Sequence, residues 1–351
     1  MPDKLEHEIS YKAAGVDIAQ TDEIKRGMSE QLRTEDTRVL NRLGAFASLY
    51  DLQFDEIKHP VLVLKVEEPG SKQKLAFEYG YIESLCHDMI NHLVNDIIVM
   101  GARPMAVLDV IVSGQSDDQV IHSLVKGMSD ACKDNNCSLV GGETSIQPGI
   151  IKDGTSVLTS SVAGIVDKEN IIDGSHIKEG DVVIALASNG IHTNGYSLVR
   201  YLMEKKPDIL KQKIDDHTFI ESIMAPHTSY CRGVQEALEV GGISGMAHIT
   251  GGGIEGNLSR VIPDGLSAKI DLSRIKTLPL FKLLKQWGNI DDPEMLRTFN
   301  CGVGMVIVCA KNKQSEIEKA IKKYSQCYAI GDIKKSETSK IAFCNQLIWG
   351  D

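Results

Sequence analysis

The chain reads as two stretches of similar build, in each of which β-rich apolar runs alternate with segments whose apolar positions recur at helical spacing. In the first stretch, strands are predicted at Val61–Val66, Lys74–Tyr79, Met105–Val112, Ser138–Val140 and Val157–Val166, and helices at Glu83–Met100 and Asp118–Asp134. The second is less cleanly striped. It predicts a strand at Asp181–Ala187, a helix at Tyr196–Met203, a strand at Cys301–Ala310, and then one charged helix and short strands between Gln314 and Asp351. The join falls near Ile171–Gly180, where Gly174 and Gly180 favour turns. With 351 residues against the roughly 150 of an ordinary domain, the pattern predicts two mixed domains, α+β or α/β, over residues 1–170 and 171–351.

Composition narrows the classes. A 42% hydrophobic and 25% charged chain with no run near the ~20 apolar residues of a membrane span is expected to be a soluble globular protein. The first residues, Met1–Glu8, are neither basic nor apolar, so they do not read as a secretory signal, and the expected location is the cytoplasm. A net charge of −10 argues against nucleic acid or an anionic membrane as partner, since both need clustered Lys and Arg. Small anions remain open as ligands. The eight cysteines contain no Cys-x-x-Cys pair and read as reduced core thiols, and the ten histidines do not fall into the close pairs typical of structural zinc.

The helix predicted from Ser84 to Met100 carries Met89, Ile90, Leu93, Val94, Ile97 and Ile98 on one side and Asp88, Asn91, His92, Asn95 and Asp96 on the other. That polar side holds no Lys, Arg, Glu or Gln, the residues that normally fill a solvated face, and Asn, Asp and His each cost several tenths of a kcal/mol in helix propensity. Two readings stand: a functional face, with one aspartate on a metal and the other on substrate, or a polar face at a subunit contact. Asp88 and Asp96 lie about 12 Å apart along the axis, too far for one ion.

Three glycine-bearing segments complete the candidate chemistry. In Cys137–Thr144, a short strand runs into Gly141, Gly142, Glu143 and Thr144, which predicts an acid at the carboxyl edge of a sheet with open backbone beside it, suited to phosphate and a divalent ion. Ser188–Arg200, with His192, Thr193, Asn194, Gly195 and Tyr196, lies between a strand and a helix amino terminus, where free amides and the helix dipole favour an anion; plain helix capping by Thr193 or Asn194 is the bland alternative. Ala247–Ile254 repeats the idea with Gly251, Gly252 and Gly253 before an apolar helix expected to end near Ile262.

Taken in order, these blocks resemble the aminoimidazole ribonucleotide synthetase (phosphoribosylformylglycinamidine cyclo-ligase) family of purine biosynthesis. The matching residues are Tyr11–Ile18, Val94–Asp96 with Gly101–Pro104, Ser138–Thr144, Ile171–Gly174, His192–Val199, Ala247–Gly253 and Arg297–Met305. Several blocks are shared with sister families of synthetases and kinases, including thiamine-phosphate kinases and selenophosphate synthetases. The resemblance implies a homodimer whose amino-terminal domains pair their sheets into a shared barrel, with ATP and Mg2+ bound near it, a carboxyl-terminal α/β domain closing on a small phosphorylated substrate, and phosphorylation of an amide oxygen before ring closure. It assigns Asp96, Glu143 and Lys72 to catalysis and Asp96, Glu143 and Glu67 to the metal. The nucleotide falls to Lys12, Gly70, Ser71, Lys72, Asp88, Asn95, Gly141, Gly142 and Thr144, and the substrate to His192–Tyr196 and Gly251–Gly253. In Val66–Lys72 the chain departs from the family's Thr-Asp-Gly-Val-Gly-Thr-Lys pattern: Glu67 replaces the aspartate and Glu68 a glycine. A non-catalytic, nucleotide-binding paralogue is the reading from a different class that this departure keeps open.

Overall fold

The computed structural model describes residues 34–41, 45–115 and 117–349; Lys12 and the rest of the Tyr11–Ile18 block lie outside them. Strands β1 (Pro60–Glu67), β2 (Arg103–Ser113), β3 (Ser138–Ile146) and β4 (Ser156–Asp167) form a sheet in the order β1-β4-β2-β3. Helices α1 (Lys72–Tyr79), α2 (Ile82–Ile98) and α3 (Asp118–Asp134) accompany it. Only β2 and β3 are parallel, because α3 lies between them and carries the chain back to the starting edge. All six apolar residues of the predicted α2 stripe are buried, and α3 starts at Asp117, whose carboxylate accepts the Val120 amide.

Two expectations fail here for identifiable reasons. Lys74–Tyr79 is helix, not strand: Phe77 and Tyr79 mimic alternation, but Lys, Gln, Leu, Ala and Glu are good helix formers and Gly80 ends the helix in the left-handed region at φ 77°. The strand expected to stop at Val140 continues through Gly141, Gly142, Glu143 and Thr144 to Ile146, paired with β2 from Ala106↔Ser138 to Ser113↔Ile146. Pairing along β2 overrides the weak strand preference of its glycines. At Gly142 the reason for glycine is visible: a Cβ would lie 2.1 Å from the Asp109 carboxylate and 2.5 Å from its carbonyl oxygen.

The second sheet contains β5 (Val182–Ala187), β8 (Ile243–His248), β9 (Leu266–Asp271), β10 (Val303–Cys309), β11 (Cys327–Lys335) and β12 (Ile341–Cys344), ordered β12-β9-β11-β5-β10-β8. A hairpin, β6 (Lys213–Ile214) with β7 (His217–Thr218), stands apart. Around them lie α4 (Tyr196–Lys205), α5 (Phe219–Ile223), α6 (Cys231–Val240), α7 (Gly253–Leu258), α8 (Pro279–Gly288), α9 (Asp292–Thr298) and α10 (Gln314–Ile321). Every pairing but β9 with β12 is antiparallel, so this half is α+β and the α/β expectation for it is corrected. Helix α7 ends at Leu258, short of Ile262, because the chain turns at Thr250–Gly253 and again after Ser259. Among the described residues no helix is long and apolar enough to cross a membrane.

Candidate functional site

The polar side of α2 divides between two jobs. Asp88, Asn91 and Asn95 hold the chain that connects α5 to α6. The Asp88 carboxylate accepts the His227 amide at 2.7 Å, Asn91 donates to the His227 carbonyl at 2.7 Å, and Asn95 donates to the Thr228 carbonyl at 2.8 Å while accepting the Tyr230 amide at 3.0 Å. Lys72, fully buried, closes this seam: its ammonium donates to Asp88 at 2.8 Å and to the Ala225 carbonyl at 2.8 Å. Burial pushes the Asp88 carboxyl up to about 6 despite the opposing charge of Lys72, and it lowers Lys72. The sequence placed Lys72, Asp88 and Asn95 at a nucleotide; the structure gives each of them protein partners inside the seam. The partners of Asp88, Asn91 and Asn95 thus lie within the chain, whereas the alternative reading of this face is a contact with another subunit.

His92 and Asp96, one turn apart on α2, face another cluster. Lys65 and Glu67 share the face of β1 that looks toward α2, and the Lys65 ammonium lies 3.0 Å from Glu67 Oε2 and 3.0 Å from Asp96 Oδ2. His92 Nε2 is 3.7 Å from both carboxylates. From the end of β8, His248 reaches across with Nδ1 2.8 Å from Asp96 Oδ1. Burial opposes ionisation of Asp96, but the His248 hydrogen bond, the charges of His248 and His92 and the Lys65 hydrogen bond outweigh it and hold the carboxyl well below the usual range. Two carboxylates that meet on one ammonium form the hard oxygen donor set that a divalent ion such as Mg2+ takes. Asp96 and Glu67, both predicted, are therefore brought together.

Glu143 is not beside them. Across the first sheet, Glu67 pairs with Ser160, Ser160 with Asp109, and Asp109 with Gly142, so these positions share the inward face three strand spacings apart, about 14 Å. Glu143 is the next residue and points the opposite way, toward the outer face with Val110, exposed. Gly141, Gly142 and Thr144 flank it within β3, which is an edge strand among the described residues.

The two predicted cradles adjoin each other and the altered loop. A Cβ on Gly251 would lie 3.4 Å from Asn194 Oδ1, and one on Gly70 would lie 3.5 Å from the Thr193 carbonyl. Ser71 and Ser197 hydroxyls are 3.5 Å apart. Gly195 takes φ 83° with the Phe299 ring 2.4 Å from where a Cβ would sit, and α4 opens there without a side-chain cap, leaving its first amides free of one. At the other cradle Gly253, φ 62°, lies so close to Leu296 that a Cβ would meet its carbonyl at 1.8 Å. A cavity of about 780 Å³ opens beside Gly252, lined also by Leu198, Glu255, Asn289, Asp291 and Arg297. Not every cradle residue faces it. The Tyr196 hydroxyl donates to the Ile223 carbonyl inside the core, Thr193 Oγ1 bonds His92 Nδ1 at 3.0 Å, and His192 is turned inward and buried.

Sequence reasoning missed Lys65, His227 and His248. Lys65 carried a readable signal, a charge at the same strand parity as Val61 and Val63, whereas His227 and His248 sit in segments whose folding against α2 no local pattern announces.

Two family models match the chain, "AIR synthase related protein, N-terminal domain" over residues 61–166 and "AIR synthase related protein, C-terminal domain" over residues 178–343. Among curated relatives, a phosphoribosylformylglycinamidine cyclo-ligase of Nitrosococcus oceani is 38% identical over 98% of this chain and 97% of its own length, and one of Methylobacillus flagellatus is 41% identical over 86% and 87%. A bifunctional purine biosynthetic protein, purD, of Dictyostelium discoideum is 37% identical over 95% of this chain, which spans 42% of that longer protein. Among solved structures, E. coli HypE superimposes with a TM-score of 0.67 at 14% identity, covering 93% of this chain and 94% of its own. Thiamine-monophosphate kinase from Stenotrophomonas maltophilia K279a gives 0.64 at 13%, covering 95% and 98%. Likeness at that identity shows the fold alone.

Proposed function

The chain belongs to the AIR synthase related family, and from that premise we propose that it is a phosphoribosylformylglycinamidine cyclo-ligase, closing the imidazole ring of aminoimidazole ribonucleotide at the expense of ATP. The observation that carries this reading is the meeting of Glu67 and Asp96 with the cradle loop of the other half, bridged by Thr193 and His92 at 3.0 Å. Nucleotide phosphates near the carboxylates and a substrate on the cradles would then be neighbours, which is what phosphoryl transfer needs.

In this reading Asp96 and Glu67 hold Mg2+, and the ion when bound neutralises phosphate charge. Lys65, already 3.0 Å from both carboxylates, supplies the nearby positive charge. Gly70 and Ser71 lie along the phosphates. The free amides at the start of α4, with Asn194 and Gly251–Gly253, take the substrate phosphate or ribose, and the cavity beside Gly252 receives the rest. His192, Thr193 and Tyr196 support that loop from behind rather than touching the ligand. In the same reading the two functional units meet at residues 170–171, which is supported by the gap between β4, ending at Asp167, and β5, starting at Val182.

The protein works as a homodimer through the outer face of the first sheet. Leu62, Leu64, Val66, Leu108 and Val157 are exposed there, an apolar surface of the kind that marks interaction sites. Glu143 then serves a phosphate site at that interface, since it points away from Asp96 of its own chain, while Thr144, paired with Ile111, faces inward.

The test is incubation with formylglycinamidine ribonucleotide and Mg-ATP, following ADP and the imidazole together. Equal formation of both is expected, with no ADP in the absence of the amidine, because a reactive phosphorylated intermediate requires a closed site. ADP release that is indifferent to the amidine would assign a plain ATPase or another kinase instead. Asp96→Asn is expected to abolish coupled turnover while the protein stays folded; full activity in that variant would remove Asp96 from the site.

A further inference from the structure

Strand β1 turns Lys65 and Glu67 toward α2, and the position where they meet Asp96 is built from two fixed acids and one movable base. The Asp96 carboxylate is tied at Oδ1, which accepts from His248 Nδ1 at 2.8 Å. The Glu67 carboxylate is tied at Oε1, which accepts the Glu68 amide at 3.2 Å, and the Thr159 hydroxyl pins its backbone by donating to the Glu67 carbonyl at 3.0 Å. Each acid thus has one oxygen engaged and one turned to a shared point. Those two oxygens, Asp96 Oδ2 and Glu67 Oε2, are the ones that lie 3.0 Å from the Lys65 ammonium and 3.7 Å from His92 Nε2.

Lys65 is held differently. Its side chain is 35% exposed, against 24% and 19% for the two acids, and among the described residues its ammonium meets only these carboxylates. Lys72, the other lysine of the region, is fully buried and fixed on Asp88 and the Ala225 carbonyl, so it cannot leave without opening the seam. An ammonium on a flexible four-carbon stem, with three rotatable donors, re-aims readily. Standing 3.0 Å from both oxygens, it lies over the place from which a Mg2+ ion at about 2.0–2.1 Å would take them, so the two cations exclude each other.

We propose that Lys65 is an exchangeable resident cation: in the resting protein it holds the Glu67 and Asp96 pair and keeps free Mg2+ off it, and it passes to a phosphate oxygen as the metal-nucleotide complex takes its place. The proposal deepens the cyclo-ligase reading and rests on its assignment of that pair to Mg2+. Its consequence is order. Two carboxylates turned to one point repel each other unless a cation lies between them, and exchange keeps them compensated throughout. A bare divalent ion meets the repulsion of the ammonium and offers it no other partner, whereas the phosphates of a nucleotide supply that partner. Metal and nucleotide therefore enter together.

The experiment uses the full chain, with Mn2+ as the paramagnetic probe, free Mn2+ counted by its EPR signal, and ADP as the nucleotide. The parent protein is expected to bind Mn2+ weakly until ADP is added. Lys65→Met keeps most of the stem and removes the charge. It is expected to bind Mn2+ alone about 10-fold more tightly than the parent and the Mn2+ complex of ADP about 10-fold less tightly, a modest change for unit charges in contact. A lysine with a merely structural role would lower both affinities or move neither. Adding Asp96→Asn to Lys65→Met is expected to remove the gain, which places it at this pair. Mn2+ binding to Lys65→Met no tighter than to the parent, a gain that survives Asp96→Asn, or an unchanged affinity for the ADP complex would each overturn the proposal. So would a parent protein that binds Mn2+ as tightly without ADP as with it, a result that needs no variant should Lys65→Met fail to fold. None of these measurements involves the amidine, so coupled turnover beside a failed exchange removes the role of Lys65 and leaves the cyclo-ligase reading in place.

Discussion

The two sheets treat their faces differently. In the second, β10 is buried along its whole length, and β5 beside it for all but its last residue. Helices and loops of the same chain cover both faces, so this half satisfies its own hydrophobic demand. In the first, α2 and α3 cover one face, while along β1 the side chains turned the other way are Leu62, Leu64 and Val66, with Leu64 71% exposed. Among the described residues, one end of that face is covered by an apolar cluster of Phe54, Met105 and Ile165. A strand that alternates inward apolar with outward apolar residues predicts burial on both sides. The difference teaches that the second half buries its sheet on both faces, whereas among the described residues the first leaves an apolar face open, the face proposed above for the dimer.

The largest effect should come from placing a charge in each sheet. Val306→Asp puts an unpaired carboxylate at a position with no exposure in the middle of β10, and a loss of more than about 4 kcal/mol, with failure to fold at all, is expected in denaturant titration. Leu64→Glu should leave the subunit's unfolding within about 0.5 kcal/mol, yet abolish the dimer in light scattering. A Leu64→Glu protein that still assembles would show that the exposed face of the first sheet is not the interface, and the contrast between the sheets would lose its meaning.

Next in size is the seam that joins the halves. Lys72→Ala leaves Asp88 buried without its cation, for which about 3–5 kcal/mol is typical, whereas replacing both partners by apolar residues of similar volume should recover most of it. A Lys72→Ala enzyme that is stable but inactive would return Lys72 to the phosphate-binding role the sequence suggested.

How far the sequence reached follows from the range of the interactions involved. Helices α2 and α3 and strands β4 and β5 were readable to within a residue or two, because hydrophobic period and local caps determine them. The Lys74–Tyr79 error arose where two aromatics outweighed better helix formers in the reading, and the early end assigned to β3 where a long parallel partner overrode its glycines. At the site, Asp96 and Glu67, expected from residue type and family pattern, are the two carboxylates that meet at Lys65. The burial of Lys72 and Asp88 was not, since it depends on residues 225–230 folding back over α2, more than 120 positions away in the chain. The histidine group is the extreme case: His92, His192, His227 and His248 have no mutual spacing that a sequence pattern captures.

The smallest effect sharpens the contrast at the one place where the two faces of the first sheet communicate. Asp109 lies on the inward, helix-covered face, and burial, assisted by the charge of Glu143 in the neighbouring strand, pushes its carboxyl up to about 7 from an ordinary 3.8. Between those values the folded protein binds a proton that the unfolded chain has released, so folding stability falls as pH rises from about 4 to about 7. Asp109→Asn keeps the shape that fits against Gly142 and removes the titration. Its unfolding midpoint in urea should therefore change less between pH 5 and pH 8 than that of the parent, the variant gaining on the parent by roughly 2–3 kcal/mol over that interval, about 1.4 kcal/mol for each pH unit below the folded value. Parallel behaviour at both pH values would mean that Asp109 is ionised in the fold and that the inward face tolerates a charge, which would narrow the distinction between the covered face and the exposed one.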